Sequence, residues 1–211
     1  MSDYIWVSNA MMDSRIKLFV ETDINAADPA RAIEAQSLND RGEPVPAELC
    51  PAKIWANRKA PQFDRMPIKA MPDLFYARAH WIVSQKAADV LRRYDLGGGA
   101  LHPVRDGVFR EDEKTRVAGE FYTWIFGNMK SAFLPDETPN KEPFGVSGLR
   151  WNMPFTLADM DIAVSAASLA PPDQWLDKTL FDAVFFSRAL GDALDAAGLR
   201  RAFHLYKARV V

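Results

Sequence analysis

The sequence predicts an α/β fold, with mixed α+β as the variant: a twisted mixed sheet, helices packed on it, and two similar strand–helix–strand units. Three observations carry this. Short runs rich in aromatic and β-branched residues recur along the 211 residues, as expected of strands. Between them, apolar residues fall at three- and four-residue spacing, the period of a helix with one buried face. The order strand, serine, helix, glycine, strand occurs twice, starting at His80 and at Ala183.

The elements follow in order. Tyr4-Ile5-Trp6-Val7 reads as a short strand and Arg15 to Val20 as a second. Asp28-Pro29 opens a helix over Pro29 to Leu38, because Asp accepts bonds from the free amides and Pro suits the first helical position. Ala32, Ile33 and Leu38 are its expected inward residues. Six prolines between residues 43 and 72 break every window, so that stretch is expected to be extended and ordered, with Ile54, Trp55, Phe63, Met66 and Ile68 against a core.

His80 to Val83 is the next strand. Ser84 caps a helix over Gln85 to Tyr94, with Ala87, Val90, Leu91 and Tyr94 on one face. Gly97-Gly98-Gly99 stops it, and Ala100 to Val104 leaves as a strand. Glu120 to Phe126 reads as a central strand, and Gly148 to Phe155 as extended chain. Thr156 with Asp159 resembles a capping box, while Met160 to Ser165 also suits a strand; the period does not decide between them. In the second unit Ala183 to Phe186 is the strand and Ser187 the cap. Arg188 to Ala197 is the helix, with Leu190, Ala193, Leu194 and Ala197 on one face. Gly198 is the stop and Ala202 to Tyr206 the exit strand.

Composition excludes several classes. Hydrophobic residues make up 48% and charged residues 26%, with 11 Gly and 14 Pro, which is globular usage and neither collagen-like nor linker-like. At ~150 residues per domain, a single domain over 1–211 is expected, with a possible N-terminal subregion 1–70 beside a region 70–211. The formal charge of −2 argues against a nucleic-acid binder, which carries a basic face. A single cysteine, Cys50, permits no internal disulfide and suits a reducing compartment. Met1 to Arg15 lacks a basic start followed by an apolar run. The uncharged stretch near Ile162 to Pro172 is too short for a membrane span, which needs ~20 apolar residues. A soluble cytoplasmic protein with no membrane partner is expected.

Motifs for chemistry are sparse. The triple glycine follows a helix, whereas a phosphate-cradling loop precedes one so that free amides face the phosphate. His80, His102 and His204 are far apart and show no zinc-ligand spacing. Cys50 lies in Glu48-Leu49-Cys50-Pro51, with no signature of a catalytic thiol around it. No catalytic residue, metal site or cofactor is assigned. Trp175 lies outside a clear strand and either packs over the core or anchors a partner.

Val83-Ser84 with its amphipathic helix, His102-Pro103-Val104, and Phe186-Ser187 with a helix ending in Ala197-Gly198-Leu199 carry a further likeness. Together with Pro72-Asp73, they resemble the eleventh numbered family of immunity proteins of bacterial polymorphic toxin systems. The resemblance covers roughly residues 70 to 210, and the N-terminal third matches only loosely. It implies a cytoplasmic, non-enzymatic protein that binds and neutralises a cognate toxin, and it supplies no catalytic residue. On that reading the loop Arg105 to Arg116, with Glu111, Asp112 and Glu113, is the expected partner-binding surface, its acids imitating the phosphates of a nuclease substrate. Trp175 is a second candidate. The alternatives are a small enzyme using His80, His102 or Cys50, and an interaction module that is a monomer or weak homo-oligomer.

Overall fold

The computed structural model describes residues 3–57, 70–145, 149–154 and 156–211. In chain order its strands begin with β1 (Tyr4–Ser8), β2 (Val20–Thr22), β3 (Lys53–Ala56) and β4 (Leu74–Ala77). Next come β5 (His80–Ser84), β6 (Ala100–Pro103), β7 (Gly107–Phe109) and β8 (Phe121–Ile125). They continue with β9 (Met129–Lys130), β10 (Glu142–Pro143), β11 (Trp151–Asn152) and β12 (Ala163–Val164). The last are β13 (Gln174–Asp177), β14 (Leu180–Phe181), β15 (Val184–Phe186) and β16 (Leu205–Val210). The helices are α1 (Asp23–Ala27), α2 (Pro29–Asp40), α3 (Gln85–Leu91) and α4 (Arg188–Ala196). The mixed α/β class expected from the sequence is the one observed. The single expected sheet is resolved into two larger sheets and two small ones.

The larger sheets share one plan. One has the order β4-β5-β8-β6; the other has the order β12-β16-β1-β15-β13-β9. In each, a hairpin (β4 with β5, β13 with β15) leads through a capping serine into a helix, and the chain returns as an exit strand. Leu74 pairs with Val83 as Gln174 pairs with Phe186. The Asp73 carbonyl accepts from the Ser84 amide at 3.0 Å, and the Asp173 carbonyl from the Ser187 amide at 2.8 Å. The Ser84 hydroxyl oxygen accepts from the Ala87 amide and that of Ser187 from the Leu190 amide, which satisfies a free donor in each first turn. An antiparallel strand then separates hairpin from exit strand: β8 lies between β5 and β6, and β1 between β15 and β16. In the first unit that strand follows in sequence; in the second it comes from the N-terminus. Residues 4–8 therefore sit inside the six-stranded sheet. The boundary near residue 70 separates no sheet either, because β2 and β3 form a three-stranded sheet with β7.

Both large sheets are covered on two faces, which is why their inner strands β1, β5, β8 and β15 are mainly apolar and buried. One cluster joins Trp81, Val83, Tyr122 and Trp124 to Trp6, Val184 and Phe186, with Ala88, Leu91, Leu190 and Leu194 from the two capped helices. On the outer faces, Phe75, Ile82 and Phe121 meet Ile54 and Val108. Ile5, Val7, Trp175 and Phe185 meet Met153, Ile162 and Val164. Close approach explains two glycines. A Cβ on Gly191 would stand 2.0 Å from Trp6 Cδ1, and one on Gly98 would stand 2.5 Å from the Gly127 carbonyl oxygen. The triple glycine is thus a packing surface and not the helix stop expected, since α3 already ends at Leu91.

Buried amides join the two units. Gln174 accepts from Trp124 Nε1 at 2.8 Å and donates to the carbonyls of Ile125 and Phe126. Asn39, at the end of α2, donates to the Trp124 carbonyl and accepts from the Phe126 amide.

Several local expectations differ from the structure. Ser14–Ile16 is a 3₁₀ turn, and only Val20–Thr22 of that region is a strand. The Asp13 carboxylate accepts from the Arg15 amide and turns the chain there. Helix α2 runs two residues past Leu38, with Ala32, Ala35 and Asn39 buried, and Ile33 points outward at 65% exposure. Helix α3 ends at Leu91, before Tyr94. The last strand begins at Leu205 because the chain turns through His204, at φ +46. Of the two readings near Thr156, the strand stands, shortened to Ala163–Val164. Phe63, Met66 and Ile68 lie outside the described residues, as do Gly148 and Phe155.

Candidate functional site

Between the two hairpins, with one side of α2 along its wall, lies a cavity of about 670 Å³. That volume suits a small ligand or an inserted side chain. The first hairpin contributes Tyr76 and Trp81, register partners whose rings are 4.9 Å apart. The second contributes Leu176, Phe181, Asp182 and Ala183, and α2 contributes Ile33, Gln36 and Asp40. Asp182 reaches its place through a left-handed turn residue, φ +56, a conformation Asp tolerates better than most side chains.

The polar groups of the wall are unequal. The Asp177 carboxylate is saturated by the amides of Ala132, Phe133 and Thr179 and by the Thr179 hydroxyl. Arg41 is spent on Glu43 and on Ser37 Oγ. Asp40 and Asp182 form no ion pair among the described residues. Surrounding protein raises the Asp40 carboxyl above its ordinary range, and the like charge of Asp182 adds to this, against a hydrogen bond from Gln36. Enclosure also raises Asp182, opposed by Lys17. The Tyr76 hydroxyl is pushed up to about 12 by burial and by Asp40. In each case the cost of enclosing the charged form exceeds what its neighbours return.

The rim is apolar. Among the described residues, the exposed large hydrophobic side chains are Phe19, Ile33, Phe144, Leu149, Leu169, Phe181 and Val211. Ile33 and Phe181 line the cavity. Phe144 stacks on Phe181 with centroids 4.2 Å apart, and Leu149, 73% exposed, adjoins Arg150, whose guanidinium lies over the Phe181 ring. The small sheet β10-β11-β14 holds Phe181 in this position.

The residues singled out in the sequence lie elsewhere. Glu111, Asp112 and Glu113 form a turn beyond β7 that contributes nothing to the cavity wall. Asp112 accepts from the Lys114 and Thr115 amides, and Glu113 takes φ +57, so these acids shape the turn. Arg105, Arg110, Lys114 and Arg116 balance the acids of the same loop. Trp175 as an accessible anchor is corrected. It is fully buried and stacked on Phe185, with Lys130 Nζ 3.6 Å from its ring centroid. The core half of its two readings is the one observed, because β13 is an interior strand.

A smaller cleft of about 230 Å³ brings Cys50 and His102 together with Asp23 and Glu48. The thiol there is no thiolate: burial first, and Glu48 second, push it up to about 12. Its Sγ donates to the Pro46 carbonyl at 3.7 Å. His80 lies behind, with Nε2 2.8 Å from the Leu49 carbonyl, and burial lowers its pKa, so it is neutral. His204 stands apart beside Asp13. Among the described residues no group of three or more His, Cys, Asp or Glu side chains is placed to hold a metal ion. No helix among them is long and apolar enough to cross a membrane.

Comparison with family models, with curated proteins and with solved structures gives no match. Sequence reading missed the Asp40–Asp182 wall because its members come from α2 and from a turn 142 residues later. The one local signal is Ile33, a large apolar residue on the polar side of its helix.

Proposed function

We propose that this chain is an immunity-type protein that captures a bacterial toxin domain, acting in the cytoplasm without catalysis of its own. The observation that carries the capture surface is the exposure of Ile33 and Phe181 in the wall of one cavity, with exposed Phe144 stacked on Phe181. Exposed apolar groups concentrated in one place mark interaction sites, and aromatic side chains with Arg are the usual anchors of protein interfaces. The toxin as partner comes from the resemblance of residues 70 to 210.

The test is growth of bacteria expressing the toxin encoded beside this gene, with and without this protein. Rescue with a stable complex is expected, and Ile33→Glu with Phe181→Glu should abolish both while leaving the fold intact by circular dichroism. Undiminished rescue by that double variant would remove this face from the proposal. The acidic turn is separated by changing Glu111, Asp112 and Glu113 together to Ala, for which unchanged affinity is expected. A concentration-dependent dimer that Phe181→Glu dissolves would assign the face to a second copy and overturn the capture reading.

A further inference from the structure

The cavity behind the apolar rim has a charge pattern of its own. Asp40 has one charged influence on its carboxyl, and that is another acid, Asp182. Lys17 acts on Asp182 but makes no ion pair with it among the described residues. Of the other cations in the wall, Arg41 is engaged by Glu43, Arg150 covers Phe181, and Lys178 follows the saturated Asp177. The Asp40 side of the cavity is therefore a pair of carboxyls without an ion-pair partner among the described residues, with Lys17 the one cation acting on either, beside the rings of Tyr76 and Trp81.

Carboxylates with aromatic faces are the groups that recognise an organic cation: the faces attract it through the ring quadrupole and the carboxylates through charge-assisted hydrogen bonds. A guanidinium satisfies both at once, being planar for stacking and forked for carboxylates. Resting on the capture reading above, we propose that this cavity receives an arginine side chain of the partner protein. It inserts between Asp40 and Asp182 while the apolar rim covers the surrounding partner surface. The rim excludes water, which strengthens the ion contact it surrounds.

The site is tested on the free full-length chain with N-acetyl-arginine methylamide, by titration calorimetry or amide NMR. Its neutral isostere N-acetyl-citrulline methylamide, inorganic phosphate and spermidine serve as the other probes. The arginine probe should bind near ~1 mM, about what one small anchored group supplies, and weaken about tenfold in Asp40→Asn and in Asp182→Asn. Glu113→Gln, outside the cavity, should bind as the unmodified chain does. Equal binding of the citrulline probe, preference for phosphate, or retained binding in the Asp40→Asn, Asp182→Asn double variant would each overturn the proposal. Spermidine binding more tightly than the arginine probe would also overturn it, by assigning a free polyamine. The two readings fail separately. Rescue and complex formation untouched by the double variant would sink the arginine site and leave capture standing. Arginine binding that needs Asp40, with no toxin captured, would sink capture.

Discussion

The two strand–helix units are built on one plan and differ in three places, each with a consequence. First, the strand that completes the sheet follows the unit in one case and comes from the N-terminus in the other. Second, the second hairpin is three residues longer between its paired Asp and Ser. Those residues hold β14, Phe181 and Asp182. Third, counting forward from the paired Asp73 and Asp173, Leu74 stands where Gln174 stands. The shared positions hold the fold, and the departures build the cavity and the polar joint. In a molecule made of paired units, the places where the pair disagrees are where to look for function.

The largest test of this comparison is Trp6. It occupies in β1 the position Tyr122 occupies in β8, opposite Phe186 and Val83 respectively. Its ring is buried, and Nε1 donates to Asp192 at 2.9 Å. Trp6→Ala should cost ~3–5 kcal/mol in urea unfolding; a cost below that of Tyr122→Ala would show that the N-terminal strand is an accessory. Next is Gln174→Leu, which makes the second unit resemble the first. It strands Trp124 Nε1 and takes a side-chain donor from the Ile125 and Phe126 carbonyls, the latter still accepting from Asn128, at ~1–3 kcal/mol for a group left unsatisfied. An increase in stability would show that the buried amide joint is dispensable. Third, Gly191 in α4 corresponds to Ala88 in α3. Gly191→Ala should cost ~1–3 kcal/mol by overpacking against Trp6, whereas Ala88→Gly should cost ~1 kcal/mol through helix propensity and lost contact. Equal effects would mean that the two helices sit on their sheets alike.

Much of this plan is legible in the sequence because its signals are local. Ser84, Ser187 and Gly198 act within one helical turn, and the helices after the serines start where expected, though α3 ends at Leu91. Phe121–Ile125 is a central strand because an unbroken apolar run needs cover on both faces. Other features are not local. Nothing in Tyr4–Ser8 says that it will lie between β15 and β16, nearly the whole chain away. The stretch after Asp13 alternates like a strand, yet one carboxylate bonded to the Arg15 amide turns it. Trp175, beside Pro171-Pro172, carries no strand signal and suits either the core or a partner, and its strand's pairing with β15 and with β9 places it inside. The candidate site is the least legible part, since Asp40 reads as the polar end of a helix until the second hairpin is brought beside it.

The smallest expected effect bears on the site itself. The carboxyls of Asp40 and Asp182 are raised in the folded chain, Asp40 by enclosure and then by Asp182, and Asp182 by enclosure. A carboxyl raised on folding contributes stability that is fully present below its unfolded pKa of ~3.9 and is lost as pH rises through the folded value. Ionising either group as the pH rises to neutrality therefore costs stability. Asp40→Asn and Asp182→Asn remove that cost while keeping shape, and Asn also tolerates the left-handed turn at 182. Each should stabilise the chain at pH 7 by less than ~1 kcal/mol, since both side chains remain open to solvent and are screened. That corresponds to at most ~2–4 °C in Tm, with no gain near pH 3, where the native carboxyls are already protonated. The same change at Asp13, whose carboxylate Arg15 holds below the ordinary range, should have the opposite sign at pH 7. Loss of stability in Asp40→Asn at neutral pH would show that the carboxylate is compensated in the free chain. The second hairpin would then differ from the first in shape alone, with no charge held in reserve for a partner.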